Sequence, residues 1–136
     1  MAIPLYVVEE RIGYQFTDKK LLEEALIHSS YQKELREGRS VNNERLEFLG
    51  DAVLELVSSK FLFHRYEDMN EGSMTKLRAS LVCEQALAEV ARQLHLGEVL
   101  RMSRGEEMTG GRERDSIISD AVESIIGAIF EDGGLE

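Results

Sequence analysis

Proline occurs once, at Pro4, so nothing beyond the first few residues carries the strongest helix breaker. Cysteine also occurs once. Cys83 cannot form a disulfide within the chain or build a zinc site by itself, and it reads as a small buried apolar residue. No apolar run reaches the ~20 residues needed to cross a bilayer, and the N-terminus has no basic segment followed by an apolar one. A cytoplasmic protein without membrane contact is expected. Positive charge is in deficit, with 16 Lys and Arg against 26 Asp and Glu for a net −10. That balance opposes a polyanionic partner unless bound cations change it. Two divalent ions, adding +4, would bring −10 to −6, which leaves weak, salt-sensitive binding to nucleic acid. There is no Walker-type glycine loop, no GxSxG and no Cys/His pair poised for nucleophilic attack.

What the chain does have is helical periodicity along nearly all of its 136 residues, a length that suits one domain. An all-α fold is expected. The pattern predicts helices over about Leu5 to Ile12, ended near Gly13, and from a cap at Thr17 or Asp18 to about His28. Ser29 to Ser40 reads as a polar loop. Asn42 or Asn43 caps a long helix to roughly Tyr66, and Asp68 to Gly72 is a turn. Ser73 then caps a helix from about Met74 to Val82, and another spans about Glu84 to Leu94, stopping at Gly97. Arg101 to Arg114 reads as an irregular loop, and Asp115 caps a last helix that ends before Gly133.

Five carboxylates stand out on two of these helices. Glu44, Glu47 and Asp51 lie at i, i+3 and i+7, and Asp120 and Glu123 at i and i+3, so each set shares a face. Stacked acids repel. They suit either a well-solvated surface or hard divalent cations, which take oxygen ligands. On the first helix Leu46, Leu49, Val53, Leu56 and Val57 lie opposite the acids, while Leu54, Phe61 and Leu62 fall on or beside the acidic arc. A helix apolar on nearly all sides belongs inside a bundle or an oligomer. Phe48 adjoins Glu44 on the wheel, away from the core stripe, and points to a partner surface or to packing under the 29–40 loop.

On the last helix Ile118, Ala121, Val122, Ile125 and Ile129 make the core stripe, and Asp120 and Glu123 face away among Ser116, Ser119, Ser124 and Gly127. Glycine inside a helix costs about 1 kcal/mol relative to alanine, yet Gly50 adjoins Asp51 and Gly127 lies one turn beyond Glu123. A close approach of the two helices explains both. His28, His64 and His95 lack metal-ligand spacing and read as surface or packing residues. Arg101, Arg104, Arg112 and Arg114 form either a phosphate-contacting loop or, offset by Glu106, Glu107, Glu113 and Asp115, an ordinary solvated one.

The stretch NNERLEFLGDAVLEL, Asn42 to Leu56, resembles the signature of the ribonuclease III catalytic domain. HSSY at His28 to Tyr31, EGSMTKLRASLV at Glu71 to Val82 and RGEEMTGGRERDSIISDAVESIIGAIFEDGG at Arg104 to Gly134 follow in that family's order and approximate spacing. The resemblance implies an all-helical, homodimeric endonuclease that processes structured RNA, including rRNA and mRNA precursors. It would cut double-stranded RNA with Mg²⁺, for which Mn²⁺ can substitute, without an organic cofactor, leaving 5′-phosphate and 3′-hydroxyl ends. It implies metal ligands at Glu47, Asp51, Asp120 and Glu123, with Asp51 and Glu123 catalytic. It also implies further acids of the RNA-binding valley at Glu44 and Glu71, and an aromatic at Phe48 that plugs into the partner subunit. Lys76 and the 101–114 segment are candidates for gripping the duplex, by shape more than by sequence.

Two departures accompany the match. Family members continue past DGG into a closing helix and a double-stranded-RNA-binding domain, whereas this sequence stops at Glu136, so residues 1–136 are expected to be the catalytic domain alone. Arg104 stands where lysine is common, which keeps the charge and changes the donor geometry. An all-helical Mg²⁺-dependent nucleotide pyrophosphatase and a non-catalytic duplex-RNA-binding dimerisation module are the rival readings of the same acids.

Overall fold

Helix-forming sequence free of internal proline folds as seven α-helices in the computed structural model, which describes residues 3–31 and 41–134. No strand is present among the described residues, and no helix there is long and apolar enough to cross a membrane. Helix α1, Leu5–Ile12, ends on Gly13, whose φ of 77° is left-handed and costs glycine little. Helix α2, Lys19–Ala25, starts where the Asp18 side chain accepts the Lys20 N–H at 3.1 Å. It stops short of the predicted His28 because the chain turns to a different partner. Arg101 N–H donates to the Leu26 carbonyl and His28 N–H to the Arg101 carbonyl, both at 2.8 Å. Most of the predicted 29–40 loop, from 32 to 40, lies outside the described residues.

Helix α3, Glu44–Arg65, is capped by the Asn42 side chain, which accepts the Glu44 N–H at 2.9 Å. Asn43 is the buried neighbour and spends its side chain elsewhere, donating to the Ala25 carbonyl at 3.2 Å. Helix α4, Glu71–Val82, begins earlier than predicted: Asn70, not Ser73, is the cap, accepting the Ser73 N–H at 2.8 Å. Helix α5, Glu84–Gln93, follows after the single corner residue Cys83. The expectation that Cys83 is buried is wrong, because a corner in extended backbone (φ −71°, ψ 164°) turns its side chain outward.

After α5 the chain does not stop at Gly97. His95 takes a left-handed φ of 54° and a 3₁₀ turn, Leu96–Val99, continues the path. The predicted irregular loop at 101–114 is also more ordered than expected. Ser103 and Glu106 have the spacing of a capping box, and the Ser103 hydroxyl accepts the Glu106 N–H at 3.1 Å to start the short helix α6, Arg104–Met108. A 3₁₀ turn at Gly111–Glu113 leads into α7, Asp115–Gly133, of which Asp115 is the first residue and Arg114 the cap.

Helix α7 runs through the middle of the molecule, packed on α3 most extensively and also on α5 and α2. Ile118, Ala121, Val122 and Ile125 are buried as predicted, with Ile129 against them. Ser119, Ser124 and Gly127 are buried too, because α3 lies across this face of α7, in the close approach that the two interior glycines predict. Helix α3 spans 22 residues, about 33 Å. Its first half is clamped to α7, but its second half is covered mainly by α4. Leu62 is buried there, whereas Leu56 and Val57, placed in the core stripe by periodicity, are exposed together with Phe61 and Phe63.

Candidate metal centre

The acids meet because two helices touch without side chains between them. A Cβ built on Gly50 would fall on the Glu123 carbonyl group, 2.6 Å from its carbon, and one on Gly127 would lie 2.9 Å from the Gly50 nitrogen and collide with the Leu46 carbonyl. Backbone therefore packs on backbone, and neither position can hold alanine unless the helices separate. Ser124 fastens the crossing. Its hydroxyl bonds to the Asn43 carbonyl at 3.1 Å and to the Asp120 carbonyl at 2.9 Å, while the Asn43 N–H donates to the Ile27 carbonyl at 2.8 Å. The N-terminus of α3, the end of α2 and the middle of α7 are thus tied at one buried point. Asn43 and Ser124 were not singled out as site residues. Their only sequence signal was small polar residues where apolar ones would pack.

At this crossing Glu47, Asp120 and Glu123 each place a carboxylate oxygen within 4.8 Å of the other two. Asp51, one turn beyond Glu47, lies beside Glu123 and helps to hold its carboxyl above the ordinary carboxylate range. All four predicted ligands are therefore brought together, three as a compact group and Asp51 at its edge. The group is electrostatically loaded. Partial burial, then a hydrogen bond with Asp120 and repulsion from it and from Glu44 and Asp51, pushes the Glu47 carboxyl up to about 7. Partial burial, then the contact with Asp51 and repulsion from Asp51, Glu47 and Asp120, pushes Glu123 up to about 8. No basic side chain among the described residues pairs with any of these four acids. Hard oxygen donors converging without a counter-charge form a set that a divalent cation satisfies and that protons satisfy in its absence.

The other predicted residues lie apart. Glu44 is exposed one turn before Glu47 and contributes repulsion to it. Glu71 is on α4, where its carboxylate accepts the Thr75 hydroxyl at 2.8 Å, in a hollow shared with Ser59, Leu62 and Phe63. Ser59 is eight residues beyond Asp51 on α3, about 12 Å along the helix, so Glu71 does not join the acids in this protomer. Lys76 and Arg104 are exposed and have no hydrogen-bond or ion-pair partner among the described residues. Arg112 and Arg114 are committed internally, Arg112 to the Gly97 and Leu100 carbonyls and Glu107, and Arg114 to Glu106 and the Thr109 carbonyl. The basic loop thus divides into two structural arginines and two, Arg101 and Arg104, whose side chains have no partner among the described residues. Phe48 stands on α3 with 81% of its surface exposed, at the rim of a groove of about 640 Å³ lined in part by Leu21, Glu24, Leu46 and Leu49.

Comparison with known proteins gives this geometry a family. The model of a family described as Ribonuclease-III-like matches residues 18–136. A ribonuclease 3 of Caldanaerobacter subterraneus is 53% identical over 97% of the chain, and one of Bacillus cereus strain AH187 is 53% identical over 96%. The chain spans 58% and 53% of those two proteins. A structure of the nuclease domain of ribonuclease III from Campylobacter jejuni, which describes flexibility in a region involved in dimer formation, superposes with a TM-score of 0.90 at 48% identity. That match covers 97% of this chain and 88% of the other.

Proposed function

The chain belongs to the ribonuclease III family, and from that membership and the acid pocket at the α3–α7 crossing we propose that it is a divalent-cation-dependent endoribonuclease acting on double-stranded RNA. The convergence of Glu47, Asp120 and Glu123, with Asp51 against Glu123, carries the reading. We take residues 1–136 as the catalytic domain, Mg²⁺ as the ion and Mn²⁺ as its substitute, and structured RNA precursors such as rRNA and mRNA as substrates. The donor set fits such an ion: four carboxylates, with no thiolate or imidazole in the group and no basic partner among the described residues. Once bound, the ion would neutralise charge on the phosphoryl oxygens and lower the pKa of a water, so that the water can lose a proton and attack phosphorus.

The chain's own residues do the rest. Glu47, Asp120 and Glu123 would hold the ion with Asp51 as the fourth carboxylate of the set, and Asp51 and Glu123 are the catalytic pair. Glu47 and Glu123 give up the protons that their raised pKa values retain. No side-chain nucleophile takes part: water adds to phosphorus, the bond from phosphorus to the 3′-oxygen breaks, and that oxygen leaves as the hydroxyl, so the ends are a 5′-phosphate and a 3′-hydroxyl. Arg104 and Lys76, exposed and without a partner among the described residues, meet phosphates of the duplex. Glu44 and Glu71 flank the path of the RNA. We further propose a homodimer in which Phe48 of each copy enters the groove beside Phe48 of the other, joined by the apolar face of Leu56, Val57 and Phe61. The acid centre alone cuts one strand, and two copies cut both.

Incubation with end-labelled duplex RNA tests the reading. Cleavage is expected with Mg²⁺ and none with EDTA, and Glu123→Ala or Asp51→Asn should lower the rate about 10³-fold or more while the circular dichroism spectrum is unchanged. Duplex RNA left intact while nucleoside triphosphates are hydrolysed, or bound without cleavage in either metal, would overturn it.

A further inference from the structure

The HSSY motif has no part in the acid centre, yet its side chains make an unbroken hydrogen-bonded path to α6. Ser30 N–H donates to His28 Nδ1 at 3.1 Å, so that nitrogen is an acceptor and the ring's proton lies on Nε2. The Ser30 hydroxyl, 2.8 Å from the same nitrogen, must then donate to it. That leaves the Ser30 oxygen as an acceptor, and it receives the Ser103 N–H at 2.9 Å across 73 residues of sequence. Ser103 in turn caps α6 through its own hydroxyl, which accepts the Glu106 N–H at 3.1 Å. The next residue is Arg104, the first of α6, exposed and without an internal partner among the described residues. On the same side, His28 N–H donates to the Arg101 carbonyl at 2.8 Å, so backbone and side chain of the motif grip both ends of the 101–103 segment.

A helix of five residues, Arg104–Met108, is too short to hold its own direction in water, and its placement has to come from its cap. We infer that His28 and Ser30 are positioning residues for substrate, setting through Ser103 the direction in which Arg104 leaves the surface toward a duplex phosphate. Arginine in place of lysine sharpens that requirement, since a planar guanidinium needs orientation that an ammonium does not. The inference deepens the duplex-RNA reading and rests on it for Arg104's role, but the relay itself has a readout independent of RNA.

Steady-state cleavage of a short RNA duplex by Ser30→Ala, Arg104→Ala and the double variant provides one arm. Each single change should raise KM roughly tenfold, the worth of one charge-assisted contact, with kcat within about twofold, and the double variant should be no worse than Arg104→Ala. His28→Ala should match Ser30→Ala. Ser30→Thr, which keeps the hydroxyl, and His28→Asn, which keeps an acceptor near Nδ1, should restore KM. Amide hydrogen exchange provides the other arm: in Ser30→Ala the Ser103 and Glu106 amides should exchange about tenfold faster or more, with α7 unaffected. Unchanged protection of Ser103, KM effects that multiply in the double variant, or loss of kcat at constant KM would each overturn the inference. A wild-type protein that leaves duplex RNA intact would overturn the nuclease reading and Arg104's part in it, while exchange would still decide whether the relay holds α6.

Discussion

Glu47 and Glu123 carry carboxyls that the native pocket keeps protonated well above the ordinary carboxylate range, to about 7 and about 8. The folded protein therefore binds more protons than the unfolded chain from about pH 4.5 upward. Their contribution to stability is fully present below that value and is lost as pH rises through 7 to 8. Glu9, Glu107 and Asp132 shift the other way, held low by Lys19, by Arg112 and by the Thr17 N–H respectively, so their pH dependence falls below the ordinary carboxylate range. Tyr14, raised by Asp132, titrates above pH 10. Between pH 6 and 9 the acid pocket should thus dominate. Thermal melts in EDTA should give a lower Tm at pH 9 than at pH 6, and Mg²⁺ should raise Tm more at pH 9, where it need not displace protons. A Tm in EDTA that climbs across that range would contradict the pocket's electrostatics.

Two helices crossing on glycine are what turn separate acids into one centre. Gly127→Ala gains about 1 kcal/mol of helix propensity but forces a methyl group onto the rigid backbone of α3, a strain of about 1–3 kcal/mol or more because no flexible side chain can yield. The second effect should win. Calorimetry should show a lower Tm, and Mn²⁺ titration should show weaker binding as Glu123 moves away from Glu47; an unchanged Mn²⁺ affinity would mean the crossing does not set the pocket. This approach was legible in the sequence, because an interior glycine beside an acid on each helix has a cost that only proximity explains. The helix set and the core stripe of α7 were legible for the same reason, that their periodicity is unbroken. Caps were less so: Asn70 and Asn42 compete with equally suitable neighbours, Ser73 and Asn43, and only tertiary contacts choose between them. Helix α6 was hidden by glycine and charge, which read as loop, while its order comes from Ser103 and Ser30, distant in the chain.

For the molecule as a whole, the unsettled surface is the exposed apolar half of α3. Periodicity assigned Leu56 and Val57 to a core, and within one chain they are exposed, with Phe61 and Phe63 beside them. Pattern reports that a residue is to be buried without saying in which copy. If Phe48 enters a second protomer, a two-fold interface loses the ring twice, so Phe48→Ala should weaken the dimer at least about a hundredfold at roughly 1.5 kcal/mol or more per ring. Sedimentation velocity across a concentration series reads that shift, and an unchanged dissociation constant removes Phe48 from the interface. Net charge acts at this scale too. At −10 the molecule repels a polyanion, so if the proposed centre binds cations, metal occupancy should govern any binding of RNA.

Whether carboxylates from α3 and α7 hold a divalent ion in common can be tested without recourse to activity, by anomalous scattering from a crystal soaked in Mn²⁺. A peak within coordination distance of carboxylate oxygens of Glu47, Asp120 and Glu123, next to Asp51, is expected, and it should vanish in Glu123→Ala. Ordered carboxylates with no peak between them, or manganese bound only elsewhere, would contradict it.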